Sequence, residues 1–93
     1  MKIIELLEKK YEVFKDDNNI FDYETVKDLF TDYFLPYDYV VGDLAYDKIR
    51  LKGFYDSKNP KKTSINDFSG VDDYIKKYCA VGCKYFILKK SNN

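Results

Sequence analysis

Apolar residues recur at Val26, Leu29, Phe30, Tyr33 and Phe34, the i, i+3, i+4, i+7, i+8 spacing that lays one stripe along a helix. Asp22 precedes the stripe as an N-cap. Phe21 and Val26 stand where a hydrophobic staple needs them, and Pro36 ends the run. The same spacing returns forty-five residues on as Val71, Tyr74, Ile75, Tyr78 and Cys79, with Ser69 as N-cap, Asp72 at N3 and Gly82 as the stop. Two helices are predicted, each followed by a strand, so the chain reads as two related units, or as two amphipathic helices that match by coincidence.

Between the stripes the period falls to two. If Tyr46 and Asp47 form a two-residue loop, the cross-strand pairs are Ala45–Lys48, Leu44–Ile49, Asp43–Arg50, Gly42–Leu51, Val41–Lys52, Val40–Gly53 and Tyr39–Phe54. Alternation then puts Val40, Leu44, Ile49 and Leu51 on one face, where Gly42 and Gly53 let a helix approach. The other face carries Tyr39, Val41, Asp43, Arg50, Lys52 and Phe54.

Tyr11–Lys15 and Lys84–Lys89 read as further strands, the first ended by the turn cluster from Asp16 to Asn19. Residues 1–10, with Ile3, Ile4 and Leu7, suit a short N-terminal helix, though a strand also fits so short a stretch. Residues 56–68 form a long loop that Lys58, Lys61 and Lys62 make basic. The order is strand, helix, strand, strand, helix, strand. The expected fold is therefore α+β, a small antiparallel sheet with two helices packed on one face and a ferredoxin-like topology.

Ninety-three residues make one domain, 1–93, large enough to bury a core without disulfides. An apolar fraction of 45% is more than a disordered chain carries. Glu5 interrupts the opening apolar residues before they could serve as a signal peptide, and no later run reaches membrane-spanning length, so a cytoplasmic location is expected. Abundant Lys, Tyr, Asn and Ile with no Trp or His are the usage of an AT-rich genome, which lowers the functional weight of the aromatics. Arg50 is the only arginine. Its retention among so many lysines points to a need for the planar fork. The formal charge is zero, but residues 1–47 hold five lysines against twelve acids, and residues 48–93 hold eleven bases against four. The basic half is the kind of feature that attracts anionic partners.

The stretch Asp38-Tyr39-Val40-Val41-Gly42-Asp43, then Arg50-Leu51-Lys52-Gly53-Phe54, resembles the YutD-like family of small bacterial proteins. A second block agrees: Asp73-Tyr74, then Tyr78-Cys79-Ala80-Val81-Gly82-Cys83 and Tyr85-Phe86-Ile87-Leu88-Lys89-Lys90. Together they cover most of residues 38–90. Leu44 stands where the family often has an aromatic, and Ala45 and Asp47 where it has glycines near the turn. The resemblance implies a shared fold and carries over no catalytic residue.

Cys79 and Cys83 are the most pointed pair. Two thiolates without a histidine cannot complete a zinc site within one chain, although a dimer could supply four ligands. A helix C-terminal position also raises a thiol pKa rather than activating it. Packing of buried thiols, redox chemistry and metal or inter-chain chemistry all stay open, in that order. Asp38, Asp43 and Asp47 could be read as a carboxylate cluster, but Asp43 faces Arg50 as an ion pair and the other two occupy turns. With no histidine, activated nucleophile or glycine-rich phosphate loop, the chain is not expected to be an enzyme and no cofactor or metal is expected.

The face with Tyr39, Arg50, Lys52 and Phe54 interleaves rings with bases, as open sheets do when they stack single-stranded RNA. Alternatively those rings lie under the N-terminal segment or a dimer partner, since a small domain needs them for packing. The expected function is a non-enzymatic cytosolic binding module for a protein or ribonucleoprotein, working through Tyr39, Arg50, Lys52, Phe54 and the loop lysines Lys58, Lys61 and Lys62. Direct RNA binding by the same face is the alternative, and a thiol role for Cys79 and Cys83 is the third reading. Oligomeric state leaves no mark on the sequence.

Overall fold

Every pair expected across the central hairpin, from Tyr39–Phe54 to Ala45–Lys48, is present in the computed structural model. The structure describes residues 2–45, 48–78 and 84–91, so the loop residues Tyr46 and Asp47 lie outside it, as do Cys79 and Cys83. Its elements are β1 (Lys2–Leu6), β2 (Lys9–Lys15), α1 (Tyr23–Leu29), β3 (Tyr39–Ala45), β4 (Lys48–Phe54), α2 (Val71–Tyr78) and β5 (Tyr85–Lys90).

The N-terminal segment is a strand, not a helix. Ile4 and Leu6 are buried while Ile3 and Leu7 are exposed, a period of two over a stretch where the helical spacing was coincidental. β1 pairs with β2 from Lys2–Val13 to Leu6–Lys9. Leu7 and Glu8 make the turn, both with positive φ (50° and 68°), as a type I′ hairpin requires.

This extra strand changes the topology. The sheet has five strands in the order β1-β2-β5-β3-β4, and every neighbouring pair is antiparallel. That is not the expected ferredoxin-like order of four strands. β5 lies between the two hairpins, bonded to β2 on one side and β3 on the other.

The helices do not share a face. Val26 and Phe30 bury against Ile4, Leu6, Tyr11, Val40, Phe86 and Leu88, whereas Val71 buries against Tyr39, Val41, Phe54 and Ile87. Val40 and Val41 are consecutive on β3, so α1 and α2 cover opposite sides of the sheet. Both faces of β3 and β5 carry large apolar side chains, and each fully buried one contributes roughly 1.5–3 kcal/mol, so a helix on one side alone would leave the other wet.

Asp22 caps α1 as expected, its carboxylate accepting from the Thr25 N–H and hydroxyl. The helix stops at Leu29 because Phe30 is extended (ψ 120°), and the remainder of the stripe becomes a 3₁₀ turn at Asp32–Phe34. This break lets Phe30 pack between Tyr11 and Phe34 while Tyr33 turns outward. Before α2 a second 3₁₀ turn, Phe68–Gly70, is capped by Asp67, so Ser69 is inside the turn rather than the cap. Among the described residues no helix is long and apolar enough to cross a membrane.

Candidate functional site

The sheet face singled out for binding is covered. Tyr39 stacks flat on Phe68, centroids 3.7 Å apart and planes 10° from parallel, and Phe54 meets Tyr74 edge-on at 5.4 Å. Tyr39 is 8% exposed and Phe54 1%. No base can stack on a ring whose face is already occupied, so these two aromatics support α2 and the turn before it. Burial, with the nearby Asp56 and Asp38 carboxylates, raises the pKa of the Tyr39 phenol.

The cations of that face emerge at the free edge of β4. Arg50 sends Nε and Nη2 to the two carboxylate oxygens of Asp43, at 3.1 and 2.8 Å. Asp43 is 1% exposed. The lone arginine is therefore used for its fork, which a lysine could not reproduce. Lys52 lies over the Phe54 and Tyr74 rings, with Nζ 5.2 and 5.6 Å from their centroids. In the fold Asp38 and Asp43 have separate duties, so they form no shared carboxylate site.

The basic loop is pinned at its neck. Tyr55 N–H donates to the Asn66 carbonyl at 2.7 Å, and Phe68 N–H donates to the Tyr55 carbonyl at 2.8 Å. Within this Ω-like loop, Asp38 accepts from the Asp56 N–H and the Asn59 side-chain amide. Asp67 accepts from the Ser57 hydroxyl and the Ser69 N–H, which together with Lys62, 3.5 Å away, hold its carboxyl down to a pKa of about 2. Lys58 and Lys61 donate their backbone N–H groups to the Asp56 and Asn59 side chains, and both residues are exposed.

Beside the loop, a groove of about 520 Å³ is lined by Lys52, Ser64, Ile65, Gly70, Asp73, Tyr74 and Lys77. Ile65 is 75% exposed at its rim. Sequence reasoning named Lys52 as part of the hairpin face but not Ile65 or Lys77 as site residues, because the groove exists only once the loop folds back against α2.

A second feature was not anticipated. On the α1 side, Tyr37 packs over Gly53 of β4, where an added Cβ would strike the ring. Its hydroxyl donates to that of Tyr33 at 3.2 Å, and its ring lies 5.7 Å from Tyr33 and 4.7 Å from Tyr55. The bond to Tyr33, then burial, pushes the Tyr37 phenol up to about 12. Tyr33 is 64% exposed. The i, i+4 spacing of Tyr33 and Tyr37 was visible, but nothing local brings Tyr55 to them.

The model of the family described as "Putative antitoxin YutD-like" matches residues 5–89, which span all the elements described above except the first residues of β1 and the last of β5. The chain belongs to the YutD-like family. A YutD relative from Bacillus subtilis (strain 168), described as "Putative antitoxin YutD", is 46% identical over 77 residues, 83% of this chain and 81% of the relative. The solution NMR structure of protein yutD from B. subtilis superposes with a TM-score of 0.83 at 36% identity, covering 100% of this chain and 84% of that one. The YutD fold is thus shared over the entire chain, including the five-stranded sheet on which the groove and the tyrosine cluster rest.

Proposed function

We infer that this YutD-like chain is a non-enzymatic binding module of the bacterial cytosol whose partner is a protein. Its family description names a putative antitoxin, which favours a protein as the partner. The observation that carries the reading is the groove beside Lys52, where an exposed apolar side chain, Ile65, is set among Lys52, Asp73 and Lys77. An apolar anchor ringed by charge is the anatomy of a protein-binding surface.

On that face RNA binding would have to rely on Arg50 and the lysines, since Tyr39 and Phe54 are stacked within the protein. Affinity purification of the tagged chain from its native cytosol, with and without nuclease, tests the two readings. A stoichiometric protein that stays bound after nuclease supports the module. A retained nucleic acid with no protein overturns it.

A further inference from the structure

Among the described residues β4 is paired as a strand on one side only, to β3. The direction of its outward groups follows from the next residue but one. Tyr55 N–H points away from the sheet to the Asn66 carbonyl, and the alternation of a strand puts the amides of Gly53, Leu51 and Ile49 on that same side. The loop neck forms a single parallel bridge there, Tyr55 with Asp67, and then turns off into the 3₁₀ turn before α2. The fold thus starts a sixth strand and abandons it.

The two sides of this edge differ. Lys48, Arg50 and Lys52 project on the α2 side, next to the groove with Ile65 and Tyr74. Ile49 and Leu51, both half-buried, project on the α1 side, where Tyr37 covers Gly53 and contacts Tyr33 and Tyr55. Asp43 answers one of the three bases through Arg50. A second copy of β4 pairing antiparallel would set lysine against lysine, which like-charge repulsion disfavours. The same lysines select a strand of opposite charge.

We propose that the protein partner binds by adding an extended segment to the free edge of β4, its acidic side chains beside Lys48, Arg50 and Lys52 and its apolar side chains on Ile49, Leu51 and the tyrosine cluster. This rests on the protein-partner reading. Main-chain hydrogen bonds to Ile49, Leu51 and Gly53 supply the pairing, and the charges fix which face is which.

The test is amide hydrogen exchange on the full chain with two short peptides, one alternating Val with Glu and the other Val with Lys. The Val/Glu peptide at excess should slow exchange at Ile49, Leu51 and Gly53 by about ten-fold or more, the Val/Lys peptide should not, and the β1 edge should be unaffected. In the Lys48→Glu/Lys52→Glu chain the preference should reverse. Protection that is absent, indifferent to peptide charge or centred on β1 overturns strand addition. A partner recovered from the cytosol that leaves those three amides exchanging freely also overturns it, while sparing the binding-module reading. Edge protection by the Val/Glu peptide in a chain that recovers no partner protein supports the edge and overturns only the module.

Discussion

The guanidinium of Arg50 grips the Asp43 carboxylate at two points, 2.8 and 3.1 Å, across a pair that joins β3 to β4. Asp43 is buried and half of the Arg50 side chain stays in water, so removing the arginine exposes part of the carboxylate rather than stranding it fully. Arg50→Ala should therefore cost about 1–2 kcal/mol, below the range for fully buried pairs. Arg50→Lys should recover only part of that. Urea midpoints at unchanged slope measure both, and a cycle with Asp43→Asn isolates the pair.

Gly42 and Gly53 are both glycine because an aromatic ring occupies the space of a side chain, not because a helix approaches. Phe86, the β5 residue opposite Gly42, fills one site, and Tyr37 the other. Phe86 is fully buried and cannot yield, so Gly42→Ala should destabilise by about 3 kcal/mol. At Gly53 the clash is with the near end of the Tyr37 ring, so the whole side chain must shift, but Tyr37 is only half-buried and Gly53→Ala should cost less, about 1–2 kcal/mol. Thermal unfolding of the two variants distinguishes them.

Tyr37 and the buried Tyr11 both have phenols raised from 10.0 to about 12. A raised pKa means the folded state holds the proton more tightly. That stabilisation is complete below pH 10 and disappears as the pH climbs toward about 12. Tyr33→Phe removes the acceptor of the Tyr37 hydroxyl, so Tyr37 should ionise at lower pH, visible as earlier tyrosinate absorbance, while Tyr11 does not move.

Asp67 has the opposite sign. Its pKa is lowered from 3.8 to about 2, chiefly by the Ser57 hydroxyl and the Ser69 N–H, so its contribution is present above pH 3.8 and is lost as the pH falls toward about 2. Asp67→Asn weakens the same contacts at neutral pH. Amides of residues 56–66 should then exchange faster while those of β3 and β5 keep their protection.

Leu7 and Glu8 occupy left-handed conformations that suit Asn and Gly better. Replacing the pair by Asn-Gly should raise stability by about 1–2 kcal/mol, read as a higher thermal midpoint.

The hairpin register was legible because its information is local: a two-residue loop and alternation on either side fix every pair from Ala45–Lys48 to Tyr39–Phe54. The layering was not read, although a sign of it was present. Tyr39-Val40-Val41 and Phe86-Ile87-Leu88 are uninterrupted apolar runs, the pattern of strands buried on both faces, and they call for a helix on each side. β1 was misread because five residues hold too few turns to separate the two periods. The charged members of the candidate site, Arg50 and Lys52, could be placed from register alone. The burial of Tyr39 and Phe54 could not, since it depends on Phe68 and Tyr74 arriving from a distant stretch of chain.

β5 is the keystone between two ribbons that do not touch as sheet neighbours, and its pairs reach from Lys90 back to Tyr11. During synthesis the β1–β2 and β3–β4 hairpins can form early, but a two-stranded ribbon alone is marginal in water. The ribosome must therefore release residues 85–90 before either ribbon gains a lasting partner, and until then the nascent chain has open strand edges on both. Any translation stop ahead of Tyr85 yields two loose hairpins instead of a shortened domain.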